Sequence, residues 1–255
     1  MSKVISIVCQ KGGVGKTTTA VHLGIGLARE GKKVLLIDAD QQSSLSANLG
    51  FNEPPEFDLS TEMNAIINET EIHMSAIKTH NENVDVLPAS HGIGAMEVTL
   101  NSVDTFGREY ILREYINKVK QNYDYVIIDT APSLSIMLIN TLAAADSVII
   151  PVLPEYLAAK GVEQLLLSIV RVRKRIHKTL AIDGVLITMF DERKNDAKEV
   201  VAMIDKAYGE HAHILGKIPR SVIVPASTRL GKSLYTYAPE HKATLAYKSF
   251  VKEVI

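Results

Sequence analysis

Residues 9 to 19 read CQKGGVGKTTT, three glycines, two lysines and three hydroxyls in eleven positions. That is a chemistry for holding anions. Gly12, Gly13 and Gly15, with Val14 between them, let backbone N–H groups crowd round an anion without Cβ clashes. A helix opening at Lys16 adds its positive dipole end and its free amides. The stretch nearly spells the phosphate-loop pattern G-x-x-x-x-G-K-[ST], in which Lys16 reaches the β- and γ-phosphates of a nucleotide. The Thr17 hydroxyl ligates Mg²⁺, and Thr18 shares the same first turn. Two features depart from the pattern: Gln10 fills the first glycine position, and Lys11 is a cation where none is required.

A Mg²⁺-nucleotide site also needs carboxylates at neighbouring strand ends. YDYVIIDTAPS supplies Asp129 at the end of an apolar run, and KVLLIDADQQ supplies Asp38 and Asp40. Residues two apart on an extended segment project to one side, so both acids of the second pair can face the terminal phosphate. One would stand near the metal and the other near an attacking water.

These residues need a scaffold. The runs KVISIV, KVLLID, VDVLPA, YDYVIIDT, DSVIIPV, LAIDGVLITM and HILGKIP read as strands, most of them buried on both faces. Between them, apolar residues recur at three- and four-residue spacing over Thr17–Arg29, Arg108–Val119, Ala158–Ile176 and Ala197–Tyr208. The alternation predicts an α/β fold, a doubly wound, mostly parallel sheet flanked by helices, in one domain over residues 1–255. The stretch GFNEPPEFDLSTEMN, with Pro54-Pro55, reads as an irregular surface loop.

Composition limits the alternatives. At 255 residues the chain can bury a substantial core; it is 46% hydrophobic and 22% charged. One cysteine, Cys9, excludes an internal disulfide and a multi-cysteine metal site within one chain, and fits a reducing compartment. No apolar run is long enough to span a membrane, and MSKVISIVCQKGG is too short for a signal peptide. Residues 1–128 hold 11 Lys/Arg against 16 Asp/Glu, whereas residues 129–255 hold 17 against 13. A polyanionic partner should therefore meet the second half.

On these motifs the sequence resembles the ParA/MinD group of deviant-Walker ATPases, a branch of the P-loop NTPases, and within it the Soj-like partition proteins. KGGVGKTTTA matches K-G-G-x-G-K-[ST] at every fixed position, and VLLIDADQQSSLSANLG is similar to the family's V-L-L-[IV]-D-x-D-P-Q segment, with Gln41 for the proline. The stretch from YDYVIIDTAPSL to PVLPEYLAAKG resembles the Walker B region, with Ala131 for the first proline of D-x-P-P-S-L. The resemblance implies a catalytic set of Lys11, Lys16 and Asp40. Lys11 would cross an ATP-dependent dimer interface, and Asp40 would position the hydrolytic water. It also implies Thr17, Asp38 and Asp129 around Mg²⁺, and Pro219 beside the adenine, with Ser221 where the family's IPRN has asparagine. The implied partners of the homodimer are non-specific double-stranded DNA and a ParB-type centromere-binding protein that stimulates slow ATP hydrolysis. A cytoplasmic, nucleoid-associated protein without the helix-turn-helix extension of longer plasmid relatives is the expectation.

The surface it meets is read from charge. In IVRVRKRIHK, Arg171, Lys174, Arg175 and Lys178 fall at helical spacing and can form a stripe that tracks phosphates; a solvated helix end is the alternative. IPRSVIVPASTRLGKSLYTY aligns with a family segment that bears on DNA binding. Arg220, Gly231 and Lys232 match, Ile223 stands where an arginine is expected, and Arg229 is a shifted substitute. A MinD-like membrane-surface ATPase is the rival reading, resting on the weakly amphipathic LAYKSFVKEVI. An electron-transfer ATPase conflicts with the single thiol, and a GTPase with the lack of an N-K-x-D motif.

Overall fold

β-Branched residues dominate the strand interiors, and a strand apolar on both sides is stable only between two helical layers. The computed structural model describes residues 2–102, 107–210 and 212–255, with backbone alone for 156–160. The strands are β1 (Lys3–Ile7), β2 (Val34–Ala39), β3 (Lys78–His80), β4 (Val84–Leu87), β5 (Tyr125–Thr130), β6 (Ser147–Val152), β7 (Ala181–Phe190) and β8 (Ile214–Pro219). They form one sheet in the order β3-β4-β2-β5-β1-β6-β7-β8. All neighbours pair in parallel except β3 with β4.

The helices are α1 (Lys16–Arg29), α2 (Ser44–Asn48), α3 (Leu59–Ile67), α4 (Gly92–Ser102), α5 (Ile111–Val119), α6 (Ile136–Ala144), α7 (Tyr156–Arg175), α8 (Asn195–Tyr208), α9 (Ile223–Arg229), α10 (Leu234–Tyr237) and α11 (Lys242–Val254). One face of the sheet buries residues of α3 to α8, such as Met63, Tyr115, Leu165 and Val201. The other buries residues of α1, α2, α10 and α11, such as Leu23, Leu45, Leu234 and Phe250.

All seven expected strands are present. The antiparallel β3 was not anticipated, because KTH carries no apolar signal. Helix α5 begins at Ile111 instead of Arg108. The expected loop of residues 50–64 is irregular only in its first part. Asp58 accepts a hydrogen bond from the Thr61 N–H and starts α3 at Leu59, with Leu59 and Met63 buried. A capped carboxylate ahead of an apolar pair outweighs the proline pair upstream.

Register then sets the site. Asp129 on β5 lies opposite Asp38 on β2 and Ile7 on β1, so both carboxylates emerge beside the loop that follows β1. Helix α1 sits unusually close to its neighbours: a Cβ on Gly26 would stand 2.5 Å from Val251 and 2.6 Å from the Tyr235 hydroxyl.

Candidate functional site

The loop between β1 and α1 is built by its glycines. Gly13 and Gly15 take φ of 72° and 86°, a left-handed backbone that only glycine adopts freely. A Cβ at Gly12 or Gly13 would meet nothing within 4 Å, so the inner surface of the loop is open. Gly15 caps α1 with no side-chain acceptor, and the first turn holds no acid. Among the described residues no hydrogen bond uses the N–H groups of Gly13 to Thr18. This is a row of donors without acceptors. Lys16 is buried at 7% exposure, and Val14 points into the core.

Asp129 is fully buried, and neither of its oxygens has a hydrogen-bond partner. Burial pushes its carboxyl up to about 8, and the Asp38 carboxylate adds to the rise. The nearby Thr17 hydroxyl, short of a well-formed hydrogen bond, and the Lys16 ammonium offset part of it. Asp38 is also fully buried and is pushed up to about 6, chiefly by burial, against the lowering effect of its own donors. One of its oxygens accepts from the Ser46 N–H at 2.9 Å and hydroxyl at 2.7 Å. The other accepts from the Asp40 N–H at 3.2 Å. Asp38 therefore fastens α2, while both oxygens of Asp129 stay unpaired. Asp40 lies at the lip of the site, its Oδ1 accepting from the Gln42 N–H at 3.0 Å.

A cavity of about 590 Å³ continues from this loop, lined by Gly15, Thr18, Thr188, Met189, Pro219 and Ser221. Pro219 and Ser221 thus share a wall with the loop. The Ser221 hydroxyl accepts from the Ile223 N–H at 3.3 Å, just ahead of α9. Lys11 lies outside, half exposed, its ammonium 2.6 Å from Glu155 at the start of α7. So exposed a pair contributes at most about 1 kcal/mol and leaves the lysine free to exchange partners.

The basic residues do not form one surface. Arg171, Lys174 and Arg175 are exposed on the last turns of α7. Lys178 falls outside the helical stripe expected of it, because α7 ends at Arg175 and the chain turns. Arg173 is tied down by its Nε donating to the Leu180 carbonyl at 2.6 Å. Helix α7 packs on the face opposite α9 to α11, so Arg229 and Lys232 lie across the sheet from it. Arg220 follows β8, at the far end of a ten-residue β7 from the end of α7, about 33 Å of strand. It joins residues that the motifs did not identify: Arg193, Lys217 and Lys242 line a cleft of about 630 Å³ with Arg220 and Phe190. The Lys217 ammonium stands 5.3 Å from the centre of the Phe190 ring. Arg193 chelates Asp191 through two 2.9 Å contacts, which hold that carboxyl well below the usual carboxylate range. DERKND carries Arg193 and GKIP carries Lys217, and the β7–β8 pairing brings these two together, with Lys242 added by the start of α11.

Known proteins resemble this chain over nearly its whole length. The family described as "AAA domain" matches residues 2–182. Soj, the sporulation initiation inhibitor protein of Bacillus subtilis, is 40% identical over 100% of this chain and 98% of its own length. The chromosome partitioning protein ParA of Caulobacter vibrioides is 36% identical over 99% of this chain and 94% of its own. Among solved structures, cobyrinic acid a,c-diamide synthase of Mycobacterium smegmatis, with bound ATP analogue and magnesium, superposes with a TM-score of 0.83. It is 31% identical and covers 99% of this chain and 93% of that one. Among the described residues no helix is long and apolar enough to cross a membrane.

Proposed function

The chain belongs to the P-loop family that includes Soj and ParA, and from that premise we propose that it is a ParA-type partition ATPase. One juxtaposition carries the reading. A buried carboxylate without donors, Asp129, stands beside a row of amides without acceptors. Mg²⁺ with a nucleotide satisfies both at once, the cation taking the acid and the phosphates taking the amides.

The roles follow from what each group has left to offer. Thr17 and Asp129 would hold the metal, and Asp38, with both oxygens engaged, holds the Asp40 loop behind them. Mg²⁺, when bound, neutralises charge on the phosphate oxygens. Lys16, buried at the start of α1, sets its ammonium against the same oxygens. Asp40 keeps Oδ2 for orienting the hydrolytic water, since Gln42 takes Oδ1. The base enters the cavity beside Pro219, where Ser221 offers a hydroxyl in place of an amide.

Lys11 completes the site of a second copy. Its partner in the single chain, Glu155, is exposed and replaceable, so a second copy's phosphates can take the ammonium. The ATP-loaded homodimer binds double-stranded DNA without sequence preference, through cations that track phosphates. A ParB-type partner accelerates its slow hydrolysis, which releases the dimer. The membrane alternative finds less support, because α11 spends Ala243, Tyr247, Phe250 and Val251 on the core.

Light scattering with ATP and Mg²⁺ tests the reading. The wild type is expected to dimerise and to retain DNA in a salt-dependent manner. Lys16→Ala should lose nucleotide, dimer and DNA together. Lys11→Ala should still bind ATP but stay monomeric, and an ATP-dependent dimer of that variant would refute the role of Lys11. Asp40→Ala should accumulate as the ATP dimer, and ordinary turnover there would remove it from the reaction.

A further inference from the structure

The tip of β7 touches both ends of the nucleotide cavity. Pairing of β6 with β7 stops at Val152–Ile187, and pairing of β7 with β8 slips between Ile187 and Phe190. Thr188 and Met189 occupy that gap. Met189 has φ of 51°, an uncommon conformation for a side chain of its size, and lines the base end of the cavity. Thr188 is 3% exposed and faces the phosphate loop. Its methyl lies 3.8 Å from the position a Cβ on Gly15 would take. Its hydroxyl is 2.8 Å from the Val14 carbonyl and 3.3 Å from that of Val152. A hydroxyl has one hydrogen to give, and the shorter contact marks Val14 as the main acceptor.

We propose that Thr188 is a positioning residue of the nucleotide site: its hydroxyl locks the Val14–Gly15 peptide with the carbonyl outward. This rests on the ATP-binding reading above. An anion cradle works only while successive N–H groups point inward and the carbonyls point away. The peptide between residues 14 and 15 is the one most at risk of turning over. Such a flip changes ψ of Val14 and φ of Gly15, and glycine accepts either sign of φ, so sterics at Gly15 offer no resistance. The glycine that allows the cradle also allows its inversion, which would turn a carbonyl oxygen toward the phosphate. Thr188 supplies the missing restraint from another strand, 174 residues away in sequence. Because Met189 follows directly, the same two residues hold the loop and shape the base end.

The test compares Thr188→Val, which keeps the shape and loses the donor, with Thr188→Ser, which keeps the donor. Calorimetric titration with ATP and Mg²⁺ should show about tenfold weaker binding for Thr188→Val, the scale of one hydrogen bond, and near wild-type affinity for Thr188→Ser. Binding of adenosine, which has no phosphate, should be equal in all three by saturation-transfer NMR. Should Thr188→Val fail to fold, Thr188→Ala measured against Thr188→Ser gives the same comparison. Wild-type affinity in the valine variant overturns the proposal, as does an equal loss in the serine variant or a parallel loss of adenosine. A wild-type protein that binds no ATP refutes the ATPase reading itself, whatever the variants do.

Discussion

A carboxylate buried without a donor, as Asp129 is, carries a free-energy cost that its ligand must remove. Its folded-state pKa of about 8 stands above the ordinary 3.8, so the nucleotide-free chain holds the proton more tightly than the unfolded one. Stability contributed by that proton is fully present below about 3.8 and is lost progressively as the pH rises to about 8. Asp129→Asn should therefore melt close to wild type near pH 4 and above it at pH 8 and higher. A gain of about 1–3 kcal/mol corresponds to several degrees. A difference in melting temperature that does not change across that range would show that folding does not raise the Asp129 pKa. Added Mg²⁺ and ATP should stabilise wild type and not the variant. Lys16, Thr17 and Asp129 are legible because each stands where a strand ends or a helix begins, positions that the apolar runs mark. The Thr188 hydroxyl is not legible, since its acceptor belongs to a loop made residue-distant by five intervening strands. Glu155 is equally silent until the fold sets it against Lys11.

Elements join through single side chains. His22, inside α1, is fully buried and stacks on Tyr247 of α11 with ring centres 4.7 Å apart. Its Nδ1 donates to the Thr18 carbonyl at 2.7 Å, and its Nε2 accepts the Leu234 N–H of α10 at 3.0 Å. Only the neutral ring can do both, and burial lowers its pKa from the ordinary 6.5 to about 4. A lowered histidine pKa stabilises the fold fully above 6.5, and the contribution is lost as the pH falls from 6.5 through about 4. Thermal melts across that window should show the wild type losing stability toward acid relative to His22→Gln, because Asp129 acts in the opposite direction in both. His22→Gln should be less stable by about 1–3 kcal/mol at pH 7, and this acid slope should flatten in it. An unchanged slope would mean that another group titrates there. The long, strongly periodic elements were readable in advance, and the short ones were not. Strand β3 has three residues and only β4 to pair with, so its existence depends on β4 and not on its own sequence. Lys178 kept the helical spacing but lost the helix, because the last turn of α7 gives way before His177.

At the scale of the whole molecule, the sheet separates two sets of cations that the sequence presents as one. The cleft of Arg193, Lys217, Arg220 and Lys242 lies toward the C-terminal ends of β7 and β8, whereas Arg171, Lys174 and Arg175 precede the N-terminal end of β7. One rigid DNA segment is therefore not expected to engage both sets on one chain. Neutralising the cleft residues in the ATP-loaded protein should lower DNA affinity and reduce the slope of log affinity against log salt by about one per lost phosphate contact. Neutralising the three α7 residues should change the slope little. The reverse outcome would place the interface on α7. The charge bias of the second half was visible in composition, but its division between two ends of the strands required the topology.

The close seat of α1 against α11 also bears on synthesis. The helix that carries the phosphate loop ends at Arg29, yet part of its apolar face has no cover until residues from Lys242 onward exist. At about 5–20 residues per second, the ribosome takes roughly 10 to 40 seconds to make that interval. During it, Leu23, Leu27 and Val21 belong to a nascent chain without their final neighbours. The first motif to be translated is therefore among the last to mature, and a chaperone has the longest access to the part of the chain that will hold the nucleotide.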